Sequence, residues 1–144
     1  MRASLLAILA GLLVLFAVAF WLHPYDPDGQ PLRMETHRQL GLPECTFYRM
    51  THLPCPSCGM TTSFALLVRG DVGASLRANA VGTLLAGSFL VLIPWSVPSL
   101  IRGRLLGVRS LERTLTWFVA GFLILLLGRW LIVLGLYWLF DVPF

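Results

Sequence analysis

Residues 78–101 read ANAVGTLLAGSFLVLIPWSVPSLI, a run without one charged side chain. A similar uncharged run covers residues 4–22, and residues 115–140 contain a single charge, on Arg129. A helix rises about 1.5 Å per residue, so runs of this length span a hydrocarbon layer about 30 Å thick. The three runs predict an all-α integral membrane protein with three transmembrane helices.

The overall composition excludes several classes of protein. The chain has 144 residues, of which 57% are hydrophobic and 12% charged, whereas a soluble domain carries about 25% charged residues. A soluble enzyme, a nucleic-acid-binding domain and a disordered linker are therefore excluded. We expect the lipid bilayer, and not nucleic acid, to be the main partner of the chain.

The positions of the basic residues predict the orientation in the membrane. Residues 102–114 contain four arginines against one acid, while residues 23–77 contain five arginines and five acids. Short loops rich in basic residues stay in the cytoplasm. We therefore expect a multi-pass protein of the cell membrane, with a cytoplasmic N-terminus, residues 23–77 outside and residues 102–114 inside.

The first hydrophobic segment, residues 1–22, has two interpretations. The small residues Ala17, Val18 and Ala19 resemble the cleavage site of a signal peptide. The apolar character continues beyond that site through residues 20–22, and this continuation favours a retained transmembrane anchor.

Residues 23–77 are expected to form a cysteine-rich loop outside the membrane. Prolines at 24, 27 and 31 prevent the first helix from continuing. Apolar residues at helical spacing predict one short helix over residues 59–69 at the interface, with Ser57 as its N-cap and Gly70 as its stop.

The remaining segments are two membrane helices and the loop between them. The second helix covers residues 78–101, follows Asp71 as a cap, and is expected to kink at Pro94 and Pro98. The third covers residues 115–144 together with the C-terminus.

The cysteines are the strongest candidate for a functional site. All three lie within fourteen residues, at Cys45, Cys55 and Cys58. Two sulfurs separated by two residues can face one point, as they do in zinc ribbons and rubredoxins. With a histidine as the fourth ligand, either His52 or His37, they would complete a tetrahedral site that suits zinc or iron.

The same cysteines support two other interpretations. Cys55 and Cys58 suit a structural disulfide on the oxidising side of a membrane. They also suit thiol–disulfide exchange, in which the start of the 59–69 helix lowers the pKa of Cys58 and Cys45 acts as the resolving thiol. Residue types and spacing leave these alternatives open.

The motifs around the cysteines resemble a family of small bacterial membrane proteins called domain of unknown function 2752. The resemblance covers residues 45–101. It is carried by a lone cysteine, Cys45, and by a Cys-Pro-x-Cys-Gly-x-Thr core over Cys55 to Thr61. A Gly-Asp pair follows at Gly70 and Asp71, and an asparagine, Asn79, opens the second span. Thr62 stands where the family usually has arginine. The resemblance implies a membrane location and a cysteine site, and it implies no particular activity.

Two polar residues in the apolar runs are further candidates. Arg129 lies near the middle of the third run, where an arginine costs about 2.5–3.5 kcal/mol on insertion scales. It is expected to face the bundle interior, a partner or a water-filled cavity, or else to snorkel to one surface. Asn79 opens the second run and is expected to cap or cross-link helices.

Together these features predict a membrane protein with a cysteine site, either a structural metal or a disulfide. We expect it to serve as an accessory or assembly subunit, with a membrane partner protein or as a homo-oligomer. One alternative is a membrane thiol–disulfide oxidoreductase that uses Cys55 and Cys58. Another is a small transporter or channel component built around Arg129.

Overall fold

A computed structural model describes residues 2–53, 55–103, 107 and 110–140. Over these residues the fold is entirely helical apart from one isolated bridge between Tyr25 and Pro31. Five α-helices and one short 3-10 helix follow one another along the chain: α1 Arg2–Trp21, the 3-10 helix Thr36–Leu40, α2 Thr46–Thr51, α3 Met60–Leu67, α4 Val72–Arg102 and α5 Leu111–Phe140.

Three of these helices are long and apolar enough to cross a membrane. The candidate spans are Ala3–Trp21 in α1, Val72–Arg102 in α4 and Glu112–Leu139 in α5. The predicted fold class, an all-α protein with three membrane helices, is confirmed. Of the predicted arginine-rich loop, residues 104–106, 108 and 109 lie outside the described residues, as do residues 141–144 of the predicted C-terminal segment.

Helix α4 begins before the predicted start of its membrane run. The side chain of Asp71 accepts a hydrogen bond from the backbone N–H of Ala74 at 3.0 Å and so caps the helix, as expected. Pro94 and Pro98, where a kink is predicted, both lie within α4 and have helical backbone. The non-helical residue lies at Asn79 (φ −159°, ψ 103°), because its side-chain oxygen caps a second helical part by accepting from Gly82 N–H at 3.0 Å.

The short helix α3 starts later and ends earlier than predicted. Ser57 is not its N-cap; that position belongs to Gly59, whose φ of 80° is left-handed. The chain needs glycine there because of the close packing described below.

Helix α3 packs along α4 and is flanked by the end of α1. The rings of Phe16 and Phe64 stack with centroids 6.1 Å apart, and Phe64 meets Phe89 edge-on at 6.3 Å. Gly82 makes this approach feasible, since a side chain there would meet Ser63 and Met60 of α3. This packing places the start of α3, and the cysteine turn before it, against the break at Asn79.

Helix α5 stands apart from this core. Within the described residues, none of its most apolar window is buried. One contact is made in the middle of the helix, where Trp130 meets Phe47 of α2 with ring centroids 6.0 Å apart. The adjacent Arg129 reaches α4, and this contact belongs to the site.

Candidate metal centre at the cysteine turn

A tight turn brings Cys55 and Cys58 to the same side of the chain. The N–H of Cys58 donates to the carbonyl of Cys55 at 3.1 Å, and the N–H of Cys55 donates to the sulfur of Cys58 at 3.2 Å. The next N–H groups continue the turn into α3, with Met60 donating to Ser57 at 3.0 Å. The two sulfurs therefore face one point, as their spacing predicted.

Helix α2 brings the third sulfur to the same place. Cys45 is the residue before this helix, and His52 closes it in a left-handed conformation (φ 57°) that turns the chain back toward Cys55. The three sulfur atoms lie within 4.8 Å of one another, and all three cysteines are free thiols. In a tetrahedral zinc site with Zn–S distances near 2.3 Å, the sulfurs would be about 3.8 Å apart. A small inward movement would therefore close the site around an ion.

The turn is fixed to α4 at the helix break. The side-chain amide of Asn79 is fully buried and donates to the carbonyl of Cys58 at 3.0 Å. A methyl group on Gly59 would lie 2.5 Å from the carbonyl oxygen of Ala78 and 2.7 Å from that of Arg33. Only a residue without a side chain fits this contact, so the Cys-Gly pair and the asparagine act together.

Buried hydroxyl groups hold the surrounding segments together. Thr36 of the 3-10 helix shares a hydrogen bond of 2.7 Å with Thr62 of α3. Ser75 donates to the carbonyl of Ser63 at 2.8 Å and pairs with the Thr83 hydroxyl at 2.7 Å. Thr62, which stands where the resembled family usually has arginine, thus anchors the segment that precedes α2.

The surroundings of Cys45 and Cys58 shift the pKa values of these two thiols in opposite directions. Burial alone would raise the pKa of Cys45, but hydrogen bonds from the N–H of Tyr48 and from the neighbouring thiols outweigh it, so the pKa is lowered. The pKa of Cys58 is raised, chiefly by burial and then by its interaction with Cys55. The start of the helix was expected to lower the pKa of Cys58, but burial raises it instead.

The cysteines lie between two cavities. An outer cavity of about 380 Å³ is lined by all three cysteines together with His37 and Thr61. A smaller one of about 40 Å³ lies on the other side and is lined by Cys55, Cys58, Arg33, Arg77 and Arg129.

The structure brings together most of the residues singled out in the sequence, with one exception. Asn79 touches the turn, Thr61 lines the outer cavity, and Arg129 donates to the carbonyl of Ala78 at 3.4 Å. Neither His52 nor His37 is among the residues whose ligand atoms lie within 4.8 Å of one another. His52 ends α2 in a left-handed conformation, whereas His37 lines the outer cavity.

Sequence reasoning missed the convergence of Arg33 and Arg77 on the cysteine turn. Arg33 lies far before Cys55 in the chain, and Arg77 lies far after Cys58. No local pattern marks them, because only the packing of the loop on α4 brings them there.

The fold and the site define a helical membrane protein with a three-cysteine cluster held at a break in its central span. Comparison with family models agrees: the model described as Protein of unknown function (DUF2752) matches residues 45–93. The resemblance noted from the motifs is thereby confirmed, and the matched residues include the three cysteines, α3 and Asn79. No curated protein and no solved structure matches the chain.

Proposed function

We propose that Cys45, Cys55 and Cys58 bind one metal ion as thiolates. The observation that carries this proposal is the convergence of three sulfurs within 4.8 Å from two separate segments. Thiolates favour zinc, copper(I) and iron–sulfur centres over hard cations. Zinc is the metal we expect, because it has no redox chemistry of its own and suits a structural site that ties a loop to a helix.

For the fourth ligand, the geometry supports His37 more than His52. His37 lines the cavity in which the three cysteines lie, and its Nε2 donates to the carbonyl of Pro43 at 3.2 Å. Histidines that bind metals usually make such a bond with the nitrogen that is not coordinated. Coordination through Nδ1 would require the loop that carries His37 to close on the cysteines.

The proposed role is that of an accessory or assembly subunit of the cell membrane, with the metal site on the outer surface. The metal would hold the loop before α3 in one conformation against α4. The unburied apolar surface of α5 would contact lipid and, in an assembly, a second copy or another membrane protein.

The experiment that tests the metal site is elemental analysis of the detergent-purified chain combined with a count of reactive thiols. We expect one metal ion per chain, lost in each of the variants Cys45→Ser, Cys55→Ser and Cys58→Ser. Ser88→Ala is the control, since the Ser88 hydroxyl donates to the carbonyl of Leu84 at 2.8 Å within α4, away from the cysteines. His37→Ala should weaken binding, and His52→Ala should not.

Other outcomes would favour the alternatives. Two thiols that react only after reduction would indicate a disulfide, and enzymatic exchange would then become the hypothesis to pursue. Three reactive thiols without metal would leave the cysteines only a packing role. The transporter or channel alternative is built around Arg129, which lines a cavity with Cys55 and Cys58.

A further inference from the structure

Arg129 needs a partner that balances its charge. It lies close to the middle of α5, is half-buried, and is the one charged residue between positions 115 and 140. A cation at this depth is costly unless it faces a compensating group. No residue in the apolar window of α5 is buried, and Arg129 is one of the residues through which the helix contacts α4.

The contacts of Arg129 point toward the cysteine centre. Its guanidinium donates to the carbonyl of Ala78, the residue before the break in α4, at 3.4 Å. The cavity of about 40 Å³ beside it is lined by Cys55 and Cys58 and by no aspartate or glutamate among the described residues. The cysteines are thus the groups in that lining that can become anions.

Nearby carboxylates are engaged elsewhere. Glu35 and Glu44 both pair with Arg38 at 3.1 Å, and Asp71 caps α4. Arg33 and Arg77, which line the same cavity, are exposed and can be solvated. Arg129 is half-buried and is therefore less solvated than these two arginines.

We propose that Arg129 offsets the negative charge of the metal–thiolate centre and thereby holds α5 against the cysteine turn. This inference rests on the proposed metal site. Three thiolates around one divalent ion leave a net charge of minus one, and one arginine balances it. The attraction exceeds that of an exposed pair because Arg129 and Cys58 are both half-buried, where the effective dielectric constant is lower than in water. Arg129 is accordingly a positioning residue and not a ligand.

The test compares the metal affinity of detergent-purified full-length variants, measured by zinc competition and by the absorption of bound cobalt. Arg129→Gln keeps a hydrogen-bond donor but removes the charge, and we expect it to bind zinc about 10- to 100-fold more weakly. Arg129→Lys keeps the charge and should stay close to wild type. Arg113→Gln removes an exposed arginine from the start of the same helix, away from the cavity, and is the matched control that should bind normally.

A second measurement follows the docking of α5. A photo-crosslinking residue at Val133, which lines the same cavity, should crosslink to the cysteine turn in metal-saturated wild type. The yield should fall in metal-saturated Arg129→Gln and recover in Arg129→Lys.

The outcomes separate the two proposals. A wild-type chain that binds no metal would overturn the metal site and this inference with it. If wild type binds metal and Arg129→Gln binds it equally well, only the role of Arg129 is overturned. Equal weakening by Gln and Lys would also overturn that role, because the site would then use the shape of arginine and not its charge.

Discussion

Two glycines, Gly59 and Gly70, show how tertiary contact decides the role of a residue. Both have left-handed backbone, with φ of 80° and 82°, and so both carry the conformational penalty of about 1–2 kcal/mol for a side chain. A methyl group on Gly70 would meet open space, whereas one on Gly59 would press on the carbonyls of Ala78 and Arg33.

We therefore expect Gly59→Ala to displace the cysteine turn and abolish stoichiometric metal binding. Gly70→Ala should lower the thermal stability of the detergent-purified chain by the conformational penalty alone and retain the metal. Elemental analysis of both variants measures the difference. Equal metal content in the two would contradict the close packing of the turn on α4.

The cysteines should differ in reactivity once metal has been removed. Cys45 has a lowered pKa and is partly exposed, so it holds more thiolate than Cys58 at any pH below the usual thiol range. Cys58 has a raised pKa, and Cys55 is only 8% exposed. With chelator present, maleimide should therefore modify Cys45 first, as followed by peptide mass spectrometry. Faster modification of Cys58 would contradict this order.

At the scale of the elements, the junction of α1 and α3 depends on Arg69. Its guanidinium donates to the carbonyls of Ala19 and Phe20 at 3.3 and 2.7 Å, and also to Ala65 of α3 at 2.8 Å. It thereby satisfies carbonyl groups that the end of α1 leaves without helical partners. Its planar fork can serve several acceptors at once.

Replacing Arg69 by Gln should therefore lower the free energy of unfolding by about 1.5–3 kcal/mol, because charged hydrogen bonds to helix carbonyls are lost. Arg38→Gln is the control, since it breaks only exposed ion pairs with Glu35 and Glu44, worth about 0–1 kcal/mol. Thermal unfolding in detergent compares the two. Equal loss of stability would argue against the capping role of Arg69.

The helices themselves were largely predictable from the sequence. Long uncharged runs identified α1, α4 and α5, and the Asp71 cap was recognised from its residue type. No local pattern predicts the break in α4 at Asn79, where the hydrogen bonds of the side-chain amide to the turn and to Gly82 outweigh local propensity. The N-cap of α3 was missed for a similar reason, since Gly59 is required by contact with α4.

For the whole molecule, the orientation in the membrane stays a prediction. A reporter fused after Thr114 should be active only in the cytoplasm, and one inserted near Gln30 only outside, because the arginines of residues 102–114 resist translocation. Paired reporters with opposite compartment requirements, placed at both sites, measure this. The reverse pattern would place the cysteine cluster in a reducing compartment, where a metal site is favoured over a disulfide.

The sequence by itself determined the class of protein, the number of membrane helices and the segment that carries the site. These follow from hydrophobic run length and from the clustering of cysteines, which are local properties of the chain. Only the tertiary structure decided which residues meet Cys55 and Cys58: Asn79 from α4, Arg129 from α5, and His37 rather than His52 beside the outer cavity. Contacts between residues so far apart along the chain depend on how α3 and the loop pack on α4, and no periodicity or spacing within one segment encodes that packing.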